Sequence, residues 1–170
     1  MADPPNVANG PAGAGRRRRP AVGPGRVRVS DTAAYVASLR KVPLFAGLTA
    51  EELGLIARSV KERVYEPGTV IVRQGDPGMG FYLIADGRVE VTHDGHRIRE
   101  LGPGEFFGEM ALMEERARTA TVTARERTRC LQLVRWDFRA LLKEHPDLAV
   151  RLLEVVVRRL REHPLSREQE

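Results

Sequence analysis

The stretch from Val64 to Val134 most limits what this chain can fold into. Short β-branched runs recur there between glycines at Gly68, Gly75, Gly80, Gly87, Gly95, Gly102, Gly104 and Gly108. The runs are Thr69-Val-Ile-Val-Arg, Phe81-Tyr-Leu-Ile, Arg88-Val-Glu-Val-Thr, Thr119-Ala-Thr-Val-Thr-Ala and Cys130-Leu-Gln-Leu-Val. Branched side chains suit a pleated surface, and glycine supplies the turns between strands. Many short strands so punctuated predict an all-β sandwich or barrel. Asp94-Gly95, between Val89/Val91 and Ile98/Leu101, marks a hairpin. About eight strands in about 70 residues suit a jelly roll, the double-stranded β-helix.

Helical spacing flanks the strands. Ser30 and Asp31 are N-cap residues for a first helix carrying Tyr35, Val36 and Leu39, which Pro43 stops. A second helix follows Thr49, with Glu51 and Glu52 where the helix dipole favours acids. Leu53, Leu55 and Ile56 form its stripe, and it ends around Lys61. After Arg135 a short helix bears Asp137, Phe138, Leu141 and Leu142 and stops at Pro146. Asp147 opens a long helix that runs to Pro164. Trp136 reads as a core or helix-packing anchor. The fold class is mainly β with flanking helices: a jelly roll at about 63–135, N-terminal helices before it, and short and long helices at about 136–163.

Charge divides the chain differently. Residues 1–30 hold six arginines and one acid, Asp3, which accounts for the whole net charge of +5. The other 140 residues carry 22 basic and 22 acidic side chains. The high pI therefore belongs to a tail and gives no polyanion-binding surface to the fold. That tail is dominated by Pro, Gly, Ala and Arg and has too little apolar surface to order itself. Residues 1–30 are expected to be a disordered basic tail, and 31–170 the folded domain. Nucleic acid is only weakly suggested, by the run Arg16–Arg19. One cysteine, Cys130, excludes an intrachain disulfide and a multi-cysteine zinc site. It reads as an inert buried thiol. With no apolar h-region or membrane-length run, a cytoplasmic protein without membrane contact is expected.

The segment from Gly104 to Val122 carries the chemistry. It breaks the strand pattern with Gly-Glu-Phe-Phe-Gly-Glu-Met-Ala-Leu-Met and returns to it at Arg-Thr-Ala-Thr-Val. Gly108 lets backbone approach a ligand, and Glu109 to Met113 make one helical turn. Free amides at such a turn suit a phosphate, and Arg118 supplies its counter-charge. Glu109 repels a phosphate but can accept from ribose hydroxyls. His93 and His96 flank the hairpin as exposed loop residues. No Ser/His/Asp set, metal cluster or Walker-type loop is present, so neither catalysis nor a metal is expected.

The string FGEMAL…RTATV, with FYLIADGRVEV and VPLFAGLTAEEL upstream, resembles the cyclic nucleotide-binding domain over roughly residues 38–163. That family includes kinase regulatory subunits, cyclic-nucleotide-gated channels and catabolite-activator-type regulators. The resemblance implies a jelly roll that binds and does not catalyse. It implies that Glu109 holds the ribose 2′-hydroxyl and that Arg118 pairs with the cyclic phosphate. Backbone around Gly108, Met110, Ala111, Thr119 and Ala120 would complete the phosphate shell, and Val91 and Leu101 would line the apolar side. The ligand is cAMP or cGMP, and no other cofactor is implied. Thr119 stands where some relatives carry a threonine linked to cGMP selectivity. By the same resemblance, helix 147–163 closes as a lid or pairs in a homodimer. No helix-turn-helix follows that helix, so a stand-alone sensor with an unknown effector protein is expected. The alternative is a transcription-linked regulator acting on nucleic acid through the Arg-rich arm or a separate DNA-binding partner.

Overall fold

A computed structural model describes residues 29–162. Helix α1 spans Val29–Leu39, a 3-10 turn Pro43–Phe45, and helix α2 Ala50–Ser59. Eight strands follow: β1 (Lys61–Tyr65), β2 (Val70–Val72), β3 (Gly80–Asp86), β4 (Val89–His93), β5 (His96–Leu101), β6 (Phe106–Phe107), β7 (Thr121–Ala124) and β8 (Thr128–Val134). A second 3-10 turn, Glu109–Leu112, sits between β6 and β7. Helices α3 (Arg135–Glu144) and α4 (Pro146–Glu162) close the described chain.

The strands form two four-stranded sheets, ordered β1-β8-β3-β6 and β2-β7-β4-β5, with every pairing antiparallel. Alternation along β3 and β8 splits their side chains between two cores. Tyr82, Ile84 and Cys130 point between the sheets, with Val89, Val91, Leu101, Phe107 and Val122. Phe81, Leu83, Leu131 and Leu133 point outward, where α1, α2, α3 and α4 cover them. Phe45 joins the layers, edge-on to Phe81 at 5.8 Å and 6.1 Å from Phe138. Burial pushes the Cys130 thiol up to about 12, which keeps it protonated and unreactive.

Helix α2 starts where its capping box dictates. The Thr49 hydroxyl accepts from the Glu52 amide, and the Glu52 carboxylate accepts from the Thr49 amide. It ends at Ser59 and not around Lys61, because Lys61 to Tyr65 pair with β8 instead. The barrel therefore begins two residues earlier than expected. Ladder formation outweighs the helical preference of Lys-Glu-Arg. Helix α4 starts at Pro146, the first-turn place that proline favours, one residue before Asp147. Val29 and Ser30, counted with the tail from the sequence, already belong to α1. The rest of the tail, with Arg16–Arg19, and the stop at Pro164 lie outside the described residues. Trp136 is 52% exposed and anchors no core. Arg135, Phe138 and Leu141 take the inward face of α3 at helical spacing, which turns Trp136 outward.

Helix α4 lies across the N-terminal elements. Leu148, Leu152 and Val155 are buried, and a Val155 methyl fills the space that a Cβ on Gly47 would need. Arg151 donates to the Glu52 carboxylate at 3.0 Å. On its other side Val150, Leu153, Val157 and Leu160 are all exposed. Among the described residues no helix is long and apolar enough to cross a membrane.

Candidate functional site

A cavity of about 450 Å³ opens between the sheets beside the second 3-10 turn. Its walls include Val91, Leu101, Gly108, Glu109, Arg118, Thr119 and Ala120, which the sequence had singled out. Val72, Phe107 and Val122 add apolar wall, and Arg99 and Glu105 add charge. No residue of α3 or α4 reaches it.

Gly108 caps the turn with φ +80°, a conformation that side chains disfavour. A Cβ there would strike the Arg118 guanidinium and the Gly80 carbonyl. The close approach of backbone to cation thus depends on glycine. Arg118 is fixed at both ends. Its backbone N–H donates to the Asp76 carbonyl at 2.8 Å, and its carbonyl accepts from the Gly75 amide at 2.8 Å. Its Nη2 donates to the Gly80 carbonyl at 2.6 Å. The guanidinium lies 5.9 Å from the centroid of Tyr82, whose ring stacks on Phe107 at 4.9 Å.

Arg118 is half-buried and makes no ion pair among the described residues. Burial pulls its basicity below the usual arginine range, with the Tyr82 hydroxyl opposing. Glu109, on the same cavity, makes no ion pair either. A desolvated cation without a carboxylate is poised for an anion, and an unpaired carboxylate nearby can accept from hydroxyls.

Met110 and Ala111 stand apart from the rest. The Met110 side chain is 61% exposed and lines a neighbouring hollow, not the main cavity. The Ala111 amide donates to the Gly108 carbonyl at 3.1 Å, so the turn presents its first amides, those of Glu109 and Met110. Thr119 is exposed at the rim, and its carbonyl accepts from His93 Nδ1 at 2.6 Å. His93 and His96 are exposed at the hairpin. Among the described residues no group of three His, Cys, Asp or Glu is placed to hold a metal.

Sequence reasoning missed Arg99. The ladder between β4 and β5 slips after Val91, which pairs with Arg99, while Thr92 pairs with Arg97. The skipped residue, Ile98, is 57% exposed. Arg99 pairs with the inward-facing Val91 and stands two residues before the inward-facing Leu101, so it shares their face and lines the cavity.

Residues 62–145 match the cyclic nucleotide-binding domain. Over 129 residues the chain is 44% identical to the cyclic AMP receptor protein of Thermus thermophilus, covering 73% of this chain and 60% of that one. It is 35% identical over 140 residues to the cAMP-dependent protein kinase regulatory subunit of Dictyostelium discoideum, covering 78% of this chain and 43% of that one. The chain thus spans 60% or less of the length of these curated relatives. Among solved structures, it is similar to the N-terminal domain of a transcriptional regulator from Streptomyces coelicolor A3(2). The TM-score there is 0.68 and the identity 35%, covering 74% of this chain and 93% of that one.

Proposed function

This chain belongs to the cyclic nucleotide-binding domain family, and we propose that it senses a cyclic mononucleotide and passes the signal on through helix α4. The observation that carries this reading is the half-buried Arg118 guanidinium, unpaired by any carboxylate and facing a cavity lined by Gly108 and Glu109. Arg118 and the first amides of the turn hold the cyclic phosphate. Glu109 accepts from the ribose hydroxyl. Val91, Leu101, Val122 and Ala120 cover the apolar faces of sugar and base. The favoured ligand is cAMP, with cGMP second. Similarity to a cyclic AMP receptor and a cAMP-dependent kinase regulatory subunit supports that order. The role is binding, not catalysis.

Signal output follows from where α4 lies. It is clear of the cavity and rests on α2 and the first 3-10 turn. Ligand binding that recruits it as a lid must favour the closed state. About 2.7 kcal/mol of preference shifts the population a hundredfold. Its exposed Val150, Leu153, Val157 and Leu160 recur at heptad spacing, which suits pairing with a second copy. A transcription-linked role is the second reading, favoured by the likeness to the Streptomyces regulator domain. The deciding experiment is calorimetric titration with cAMP and cGMP. Absence of binding by both at millimolar concentration defeats the proposal.

A further inference from the structure

Arg118 lines the main cavity and the hollow beside Met110, and it is also a wall of a further hollow of about 400 Å³ that Glu109 does not line. Arg63 and Arg73 line it together with Arg118, and the only acid in its wall is Asp76. Neither Arg63 nor Arg73 makes an ion pair among the described residues. Arg63 is held in place by a short polar chain. Its Nε donates to the Gln132 side-chain oxygen at 3.1 Å, and the Gln132 amide donates to the Tyr82 hydroxyl at 2.9 Å. The terminal nitrogens of Arg63 are left for another acceptor. At the rim stands Trp136, half-exposed with no packing role found for it above, beside the similarly exposed Met79.

These features select a ligand. Like-charged side chains gathered round one hollow repel each other unless an anion joins them. A cyclic phosphodiester carries one negative charge and needs one guanidinium, whereas a phosphate monoester carries about −1.5 to −2 at neutral pH. Three arginines match the second kind of phosphate. An exposed indole is a stacking platform for a flat ring. Asp76 suits a sugar hydroxyl, as Glu109 does in the first cavity. A volume of this order holds a mononucleotide.

We propose that the hollow lined by Arg63, Arg73, Arg118 and Trp136 is a second ligand site for a non-cyclic nucleoside 5′-monophosphate. Its phosphate draws on the same guanidinium that serves the first cavity, so each ligand weakens the other. Such antagonism is reciprocal by linkage. The protein then responds to the balance between cyclic and non-cyclic nucleotide, not to the cyclic form alone. The proposal goes beyond the reading of the first cavity and shares Arg118 and the apolar Val72 with it.

Trp136 is the only tryptophan in the sequence, and it lines this hollow and neither of the other two. Its fluorescence therefore reports this site. The test titrates the full chain with 5′-AMP, then repeats the titration with Arg63→Ala/Arg73→Ala. A saturable quench is expected, with its midpoint raised about tenfold or more in the double variant, as loss of charge-assisted contacts implies. The cAMP affinity of that variant, measured by calorimetry, should stay within about twofold of wild type, since neither arginine lines the first cavity. Arg73 sits on an exposed loop, so Arg73→Ala alone keeps the test valid should the double variant fail to fold. Saturating cAMP should raise the 5′-AMP midpoint in wild type. No quench up to millimolar 5′-AMP, or a midpoint that neither variant moves, overturns the proposal. Failure of cAMP to bind wild type would instead overturn the reading of the first cavity.

Discussion

The Arg118 guanidinium occupies the volume that a side chain at position 108 would need. The two residues act as one unit, since the glycine admits the cation and the cation needs the glycine. Gly108→Ala forces the guanidinium off the Gly80 carbonyl and strains a backbone at φ +80°. Cyclic nucleotide affinity is expected to fall about tenfold or more, with a stability loss of about 1–2 kcal/mol. Calorimetry and a thermal melt of the variant check both. Unchanged affinity would dissolve the pairing.

Arg118→Leu removes the counter-charge and leaves the shape of the wall largely intact. A charge-assisted contact is worth about 1.5–3 kcal/mol, so affinity is expected to drop about tenfold to a few hundredfold. The same variant should lose the antagonism by 5′-AMP. Affinity equal to wild type removes Arg118 from the phosphate site.

Thr119 and Arg99 both line the cavity, where their side chains are candidates for setting base choice. The Thr119 hydroxyl can accept from the guanine 2-amino group, and Arg99 can donate to guanine O6 and N7. Thr119→Ala and Arg99→Ala are each expected to weaken cGMP more than cAMP, by about tenfold at most. Competition binding with both nucleotides measures the ratio. A ratio unmoved by either change shows that neither side chain sets the base.

Helix α4 offers two readouts. Hydrogen exchange over residues 147–160 should slow on saturation with cAMP, as a lid requires, and identical protection with and without ligand excludes closure. Leu153→Glu/Leu160→Glu places charge on the exposed seam. It should convert a dimer to a monomer in light scattering while leaving the melting temperature within a few degrees. A wild-type mass that stays monomeric across concentration excludes the dimer.

Glu52 ties α2 to α4 and titrates accordingly. Burial works against its charged form. The Thr49 amide and the Arg151 guanidinium outweigh that and hold its carboxyl below the usual 4.5. A carboxyl depressed on folding stabilises the protein above its unfolded pKa, and that contribution disappears as pH falls through the lower folded value. Glu52→Gln should cost about 1 kcal/mol at neutral pH, the size of a cap contact and a screened ion pair. It should also flatten the acid side of the stability profile. Urea melts between pH 3 and 7 compare the slopes. Parallel profiles would show that the pair is inert.

Much of this fold could be read from residues alone. Glycine and branched side chains alternate strongly enough to give the strand count, and Asp94-Gly95 gave its hairpin. Glu109 and Arg118 were legible as a short helical turn suited to an anion, followed by an arginine where the strand pattern resumes, and from the resemblance of FGEMAL…RTATV. What escaped had a local physical cause. Strand β1 carries Lys61, Glu62 and Arg63, whose propensities are not those of a strand, and only pairing with β8 makes it one. Arg99 shares the face of Leu101 by simple alternation, but a charged residue in that place reads as solvent-facing until its pairing with Val91 is known. Trp136 was expected to anchor a core or a helix contact, yet the phase of α3 is set by Arg135, Phe138 and Leu141. Arg63 and Arg73 gave no signal, because their meeting with Arg118 depends on the loop after β2 pairing with residues 116–118, far along the chain.

The Val155 methyl lodged against Gly47 has a mechanical consequence. With no side chain on Gly47, Val155 bears directly on the backbone just after the first 3-10 turn, and Arg151 with Glu52 adds a second point of attachment. Two fixed points stop a rod from pivoting freely. If α4 swings toward the cavity, it must either break both attachments together or drag the N-terminal helices along. In the first case the transition is abrupt and all-or-none. In the second, the helices before and after the strands, which share one core on the same sheet, move as one lever, and a nucleotide bound between the sheets is felt across that whole layer.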